Sequence, residues 1–174
     1  METLIEDVKR SIRNIPDFPK KGILFRDITP LLLDGEKFKR CVQWFASAGS
    51  EKPDYVISIE SRGFIFGSAL ACEIGAGFVP IRKEGKLPHE TFRMSYVLEY
   101  GEATLEIHAD AMKKGKTAVI VDDVLATGGT MQAAIKLSEQ CGVTISGVYF
   151  LIELEGLQGR RHLKPYPVHS LITY

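Results

Sequence analysis

The stretch VDDVLATGGT, residues 121–130, carries two kinds of group that suit two different parts of one ligand. Gly128 and Gly129 let a backbone approach a ligand closely, Thr127 and Thr130 add hydroxyl donors, and a helical pattern follows. Main-chain N–H groups at a helix start, helped by the helix dipole, form a seat for an anion. The lysine of a nucleoside-triphosphate P-loop is missing, so that class of site is excluded. Asp122 and Asp123 stand directly before this seat, where carboxylates would repel a phosphate. They therefore need another partner in the same ligand. Sugar hydroxyls donate well to carboxylates, and a magnesium ion is a fitting counter-charge. A phosphorylated sugar satisfies both requirements. Two further clusters have chemical potential: SRG at residues 61–63 and the basic run RKEGK at 82–86.

These residues need a frame. Leu4, Ile5, Val8, Ile12 and Ile15 recur at helical spacing and predict a helix over 3–14, ended by Pro16 and Pro19. Residues 22–35 are apolar but irregular, and Phe38, Val42 and Phe45 mark a second helix. YVISIE (55–60), GFVPIRK (77–83), TAVIVD (117–122) and VTISGVYFLIE (143–153) read as buried strands, with VHSLITY as a last one. FIFGSALACEIG and TMQAAIKLSEQCG read as helices, the latter closed by Gly142. Residues 84–95 show no clear period and read as a loop, with SYVLEY and ATLEIHAD forming a hairpin that turns at Gly101. Strands alternating with helices predict a three-layer α/β domain around a largely parallel sheet. Ligands bind beyond the carboxyl ends of such strands. The loops leaving those ends include ESRG, RKEGK and DDVLATGGT.

Composition narrows the functional classes. The chain has 174 residues, about one domain, and a formal net charge of zero. No overall field draws it to nucleic acid or to an anionic membrane, and no apolar run suits a membrane span or signal peptide. Three scattered cysteines, Cys41, Cys72 and Cys141, argue against a disulfide framework and fit a reducing cytoplasm. The four histidines form no HExxH pattern, so a zinc site is not expected.

VDDVLATGGT resembles the phosphoribosyl-pyrophosphate motif of the type I phosphoribosyltransferases. DFPKKGILFRDITPLL, ESRGFIFG, VPIRKEGKLP, SYVLEYG, LEIHADA and ELEGLQGRRHL extend the resemblance, in order, to the adenine-using branch of that family. It spans nearly the whole chain. It implies one phosphoribosyltransferase domain over residues 1–174, with a flexible lid hairpin at about 84–104, acting on adenine and phosphoribosyl pyrophosphate with Mg²⁺.

The resemblance also assigns residues. Ala126, Thr127, Gly128, Gly129 and Thr130 would hold the 5′-phosphate. Asp122 and Asp123 would accept from the ribose 2′ and 3′ hydroxyls and steady the metal only through water. Ser61 and Arg62 match the pyrophosphate loop, which in the family often contains a non-proline cis peptide. Arg82, Lys83 and Lys86 would neutralise the leaving pyrophosphate. Phe25 would stack on the base, while main-chain groups of Leu24 and Arg26 read its edge. Adenine offers an acceptor at N1 and donors at N6, and 6-oxopurines reverse that pattern. A fixed main-chain pair therefore rejects the wrong base by ~10⁴-fold or more. Glu99 matches the family glutamate near adenine N7 and would accept or share the base proton. Tyr100 belongs to the same lid. His89 and Glu90 depart from the small residues or proline common after KLP in the family, which bears on lid length rather than chemistry.

Family members are usually homodimers, and the apolar segments 22–33 and 64–79 could supply the contact. Two other functions stay open at this point: the same transfer to hypoxanthine or xanthine, and a non-catalytic sensor of phosphoribosyl pyrophosphate.

Overall fold

The computed structural model describes residues 2–97 and 102–174. The chain opens with helix α1 (Glu2–Ser11), then strands β1 (Arg13–Pro16) and β2 (Leu24–Asp27), a short helix α2 (Thr29–Leu33) and a longer one, α3 (Gly35–Ala48). Next come β3 (Tyr55–Ile59), α4 (Gly63–Ile74), β4 (Gly77–Lys83), β5 (Thr91–Val97) and β6 (Glu102–His108). The chain finishes with β7 (Thr117–Leu125), α5 (Gly129–Gln140), β8 (Thr144–Glu153), two 3₁₀ turns (Glu155–Leu157 and Gly159–Leu163) and β9 (Val168–Thr173).

Seven strands form the central sheet in the order β5-β6-β4-β3-β7-β8-β9. The β4-β3-β7-β8-β9 portion is parallel throughout, while β6 pairs antiparallel with both β4 and β5. The parallel strands are covered on both faces, which is why they read as apolar runs without polar alternation. Successive side chains still alternate between the two cores. Ala118 and Ile120 of β7 pack with Ile57 of β3 and Ile135 of α5. Val119 and Val121 face the other way, toward Phe45 of α3 and Phe66 of α4. α4 can lie close on β3 because Gly67 has no Cβ, which would strike the Ser58 hydroxyl.

Local signals explain the ends of the helices. The Asp34 carboxylate caps α3 by accepting the Lys37 N–H at 3.1 Å. Gly142, at φ +79°, follows the end of α5 in the left-handed region, as a closing glycine should. No helix among the described residues is long and apolar enough to cross a membrane.

Three elements differ from the sequence expectation. The first helix stops at Ser11, and residues 13–16 instead pair with 24–27 as a separate two-stranded ribbon. Ile12 and Ile15 continue the helical spacing, but Ile15 is registered opposite Phe25, and that pairing prevails over the local period. The irregular segment 22–35 thus contains both a strand and a short helix with Pro30 in its first turn. The expected loop 84–95 ends at Thr91, where β5 begins. Phe92, Met94 and Tyr96 alternate along β5 and pack on the core beneath it. The β5-β6 register runs from Thr91↔His108 to Val97↔Glu102, and the expected turn at Gly101, with Glu99 and Tyr100, falls outside the described residues.

Candidate active site

β7 keeps its pairing to β8 through Leu125, yet its pairing to β3 stops at Val121. Asp122 and Asp123 therefore sit on a strand still fixed along one edge and open along the other. The chain leaving β3 diverges there as the loop Glu60–Arg62 and turns into α4. A cavity of about 380 Å³ opens in this split, lined among others by Ser61, Arg62, Lys83, Asp122, Asp123 and Thr130. A smaller cavity of about 100 Å³ continues it, lined by Ala126, Thr127, Gly128 and Thr130. Gly129 is the first residue of α5, and Gly128 precedes it at φ +86°. No side chain caps this helix, so its first N–H groups are open to an anion.

The carboxylates are electrostatically loaded. Burial pushes the Asp122 carboxyl well above its usual range, and the Asp123 charge adds to the effect. Asp123, 4% exposed, is also raised by burial, against a lowering pull from Arg62. Arg62 Nε lies 2.8 Å from Asp123 Oδ2, near enough for an ion pair. The N–H is not aligned on that oxygen, which keeps a lone pair without a hydrogen bond among the described residues. Asp122 Oδ1 accepts the Asp123 N–H at 2.9 Å. The loop after β3 can lie against Asp122 only because residue 63 is glycine: a Cβ there would stand 2.8 Å from Asp122 Oδ1. The Glu60–Ser61 peptide is cis.

The remaining basic residues divide. Lys83 lines the cavity. Arg82 instead gives its Nε–H to Glu60 Oε2 at 2.7 Å, and its Nη1 reaches the Lys86 carbonyl at 3.5 Å. The Lys86 side chain is exposed and does not line the cavity. The Arg82 side chain and the Lys86 carbonyl therefore brace the segment that leaves β4. Glu106, 1% exposed, anchors the same segment by accepting the Gly85 N–H at 3.0 Å and lying 3.0 Å from Arg93 Nε.

The β1-β2 ribbon approaches this site through one side chain. Arg62 Cζ lies 5.1 Å from the centroid of Phe25, whose edge also meets Phe18 at 5.1 Å. The Arg26 guanidinium turns away, 3.8 Å over the Tyr174 ring and bonded to Asn14 Oδ1. Leu24 and Arg26 are two apart on a strand, so their main-chain polar groups share one edge of the ribbon.

Reading the residues singly missed a contribution from the far end of the chain. Gly159 lies against the loop before α5: a Cβ on Gly128 would stand 2.7 Å from the Gly159 carbonyl oxygen. The only signal in the sequence is Gly159, the second glycine in ELEGLQGRRHL. A separate cavity of about 350 Å³ opens between α3 and α4, walled by Phe45, Leu70, Ile74 and Val119, and is lined by none of the candidate site residues.

A family model described as a phosphoribosyl transferase domain matches residues 34–171. The adenine phosphoribosyltransferase of Carboxydothermus hydrogenoformans is 54% identical over 169 residues, covering 97% of this chain and 99% of that protein. That of Nostoc punctiforme is 52% identical over 171 residues, with coverage of 97% and 99%. The crystal structure of the Thermoanaerobacter pseudethanolicus enzyme superposes with a TM-score of 0.95 at 50% identity, covering 98% of this chain and 99% of that one. The Saccharomyces cerevisiae enzyme, crystallised with adenine and an imino-altritol bisphosphate, gives a TM-score of 0.93 at 39% identity, with coverage of 98% and 99%.

Proposed function

The chain belongs to the phosphoribosyltransferase family and, within it, to the adenine phosphoribosyltransferases, and from that premise we propose how its residues divide the work of joining adenine to 5-phosphoribosyl 1-pyrophosphate. The products are AMP and pyrophosphate, a pentosyl transfer that salvages a free purine.

The 5′-phosphate rests on the open N–H groups of residues 126–130 and on the Thr127 and Thr130 hydroxyls. The ribose 2′ and 3′ hydroxyls donate to Asp122 and Asp123. These acceptors strengthen once a ligand arrives, because a hydroxyl donor favours the ionised carboxylate that burial alone disfavours. Ser61, Arg62 and Lys83 take the pyrophosphate, with Arg82 and Lys86 supporting the segment that carries Lys83. Arg62 covers one face of Phe25, so a stacked adenine uses the other face while main-chain groups of Leu24 and Arg26 read its edge.

As the C1′–O bond breaks, its electron pair leaves with pyrophosphate and the ribose gains positive charge. Adenine N9 supplies the new bond to C1′, and the base proton passes to or is shared with Glu99. The lid, residues 84 to about 104, excludes water from the electron-poor ribose. The carboxylate pair fits a magnesium ion that travels with the substrate and is steadied through water: magnesium beside substrate phosphates keeps several waters, and Asp123 Oδ2 has a lone pair without a hydrogen bond among the described residues to accept from one. When bound, the ion offsets charge on the departing pyrophosphate.

The observation that most supports this reading is the shared cavity in which an uncapped helix start, two carboxylates and an Arg62-bearing loop meet at the split between β3 and β7. The proposal takes residues 1–174 as one such domain, working in the cytoplasm as a homodimer. Leu33, 80% exposed, and Ile65 are large apolar side chains left uncovered on the two segments expected to supply that contact. The test is AMP formation from adenine and phosphoribosyl pyrophosphate with Mg²⁺, in competition with hypoxanthine and xanthine. Preferred turnover of a 6-oxopurine would overturn the base-reading assignment. Binding of the sugar pyrophosphate without any AMP would replace catalysis by sensing.

A further inference from the structure

We infer that Glu153, Gly159 and Arg160 act as a positioning clamp for the 5′-phosphate loop, holding residues 126–128 in their ligand-ready shape from behind. This rests on the reading of residues 126–130 as the phosphate seat.

Glu153 ends β8, registered between Leu125 of β7 and Thr173 of β9, and is 5% exposed. Its carboxylate receives both prongs of Arg160: Nε donates to Oε1 at 2.9 Å and Nη2 to Oε2 at 2.5 Å. The Ser170 hydroxyl donates to Oε2 at 2.7 Å, and Arg160 Nη1 donates to the Val168 carbonyl at 2.7 Å. Paired, two-pronged contacts of this kind fix orientation as well as distance. The Arg160 backbone is thereby tied to two strands of the central sheet.

The residue before Arg160 is Gly159, and its main chain presses on the phosphate loop. A Cβ at Gly159 would lie inside the Ala126 carbonyl oxygen and 3.0 Å from the Gly128 nitrogen. Two of these contacts are backbone against backbone and cannot yield; only the Leu125 side chain, whose Cδ1 would stand 2.9 Å from that Cβ, could move aside. Two further ties hold the turn down: Leu163 is fully buried, and Gln132 Nε2 on α5 reaches the His162 carbonyl at 3.4 Å. Glu153 and Arg160 line neither cavity of the proposed substrate site. Their effect reaches the ligand only through Gly159 and the direction it imposes on the loop.

The clamp lies behind one half of the substrate site, so its loss should be selective. Titration calorimetry of the full chain with ribose 5-phosphate and, separately, with pyrophosphate tests this for Gly159→Ala, Arg160→Lys and Glu153→Gln. Gly159→Ala is expected to weaken ribose 5-phosphate by about 10- to 100-fold, the scale of a misplacement near 1 Å, and to leave pyrophosphate binding unchanged. Arg160→Lys keeps the charge but loses the two-pronged fit, and should fall between Gly159→Ala and wild type. Glu153→Gln should behave like Arg160→Lys. Folded variants with wild-type ribose 5-phosphate affinity would overturn the clamp, as would equal loss of both ligands, which marks general loosening. If Gly159→Ala does not fold, the Arg160→Lys result decides. Failure of the wild type to make AMP from adenine would sink the enzymatic reading instead, and the ribose 5-phosphate comparison would still judge the clamp.

Discussion

Replacing Asp122 by Asn should weaken the enzyme's hold on its sugar substrate while making the empty protein more stable. Asparagine is nearly isosteric and can still accept the Asp123 N–H now held at 2.9 Å by Oδ1. What disappears is charge. A hydrogen bond to an ionised acceptor contributes about 1.5–3 kcal/mol and a neutral one about 1, so each ribose hydroxyl loses roughly 0.5–2 kcal/mol. For one such bond, kcat/KM for phosphoribosyl pyrophosphate should fall by roughly 2- to 30-fold. The stability effect has the opposite sign. Burial, and then the Asp123 charge, raise the Asp122 carboxyl well above its usual range. A carboxyl raised in the folded state contributes stability that is fully present below its unfolded value, about pH 3.9, and is lost as pH rises through the folded value. At neutral pH the wild type therefore bears the cost of a carboxyl that folding pushes toward its protonated form, a cost Asp122→Asn lacks. Thermal melts across pH 4–8 should show the wild type losing stability with rising pH more steeply than the variant. A relieved 1 kcal/mol corresponds to about 2–4 °C in a chain of this size. A variant that melts lower than wild type at neutral pH would refute the electrostatic reasoning. Unchanged kcat/KM would refute the ribose assignment.

Other perturbations reach separate parts of the site. Gly63→Ala places a Cβ 2.8 Å from Asp122 Oδ1 and 3.1 Å from the Val121 carbonyl oxygen; steady-state kinetics should show a raised KM for phosphoribosyl pyrophosphate with little loss of folding. Glu99→Ala should slow AMP formation in single-turnover experiments while sugar pyrophosphate affinity, measured by calorimetry, stays near wild type. Phe66, fully buried and edge-on to Phe38 and Phe45, anchors α4 to α3; Phe66→Ala should cost about 3–5 kcal/mol in a denaturant melt.

The centre of the site was legible because its signals are local. A buried strand, two carboxylates, a small-residue turn and a helix follow one another without interruption in residues 117–140, and all appear where their pattern places them. The strand nevertheless runs on through Leu125 instead of ending at Asp122, so Asp123 lies on it as well. That extension comes from pairing with β8, which no local pattern announces. The β1-β2 ribbon escaped for a similar reason: four-residue strands owe their existence to the partner, and Ile12 and Ile15 happened to prolong a helical period. β5 shows its alternation in Phe92, Met94 and Tyr96 once the core beneath it is known. The seat of Gly159 against Ala126 joins segments some thirty residues apart and could not be read from either alone.

The ribbon holding Leu24, Phe25 and Arg26 is hydrogen-bonded as a sheet of its own, apart from the seven strands that carry the phosphate seat and the aspartates. On the proposed reading, the choice of nucleobase and the handling of the activated sugar are therefore separable inheritances. Substitutions within residues 13–27 can retune which heterocycle is accepted while the gear that breaks and makes the bond at C1′ stays as it is.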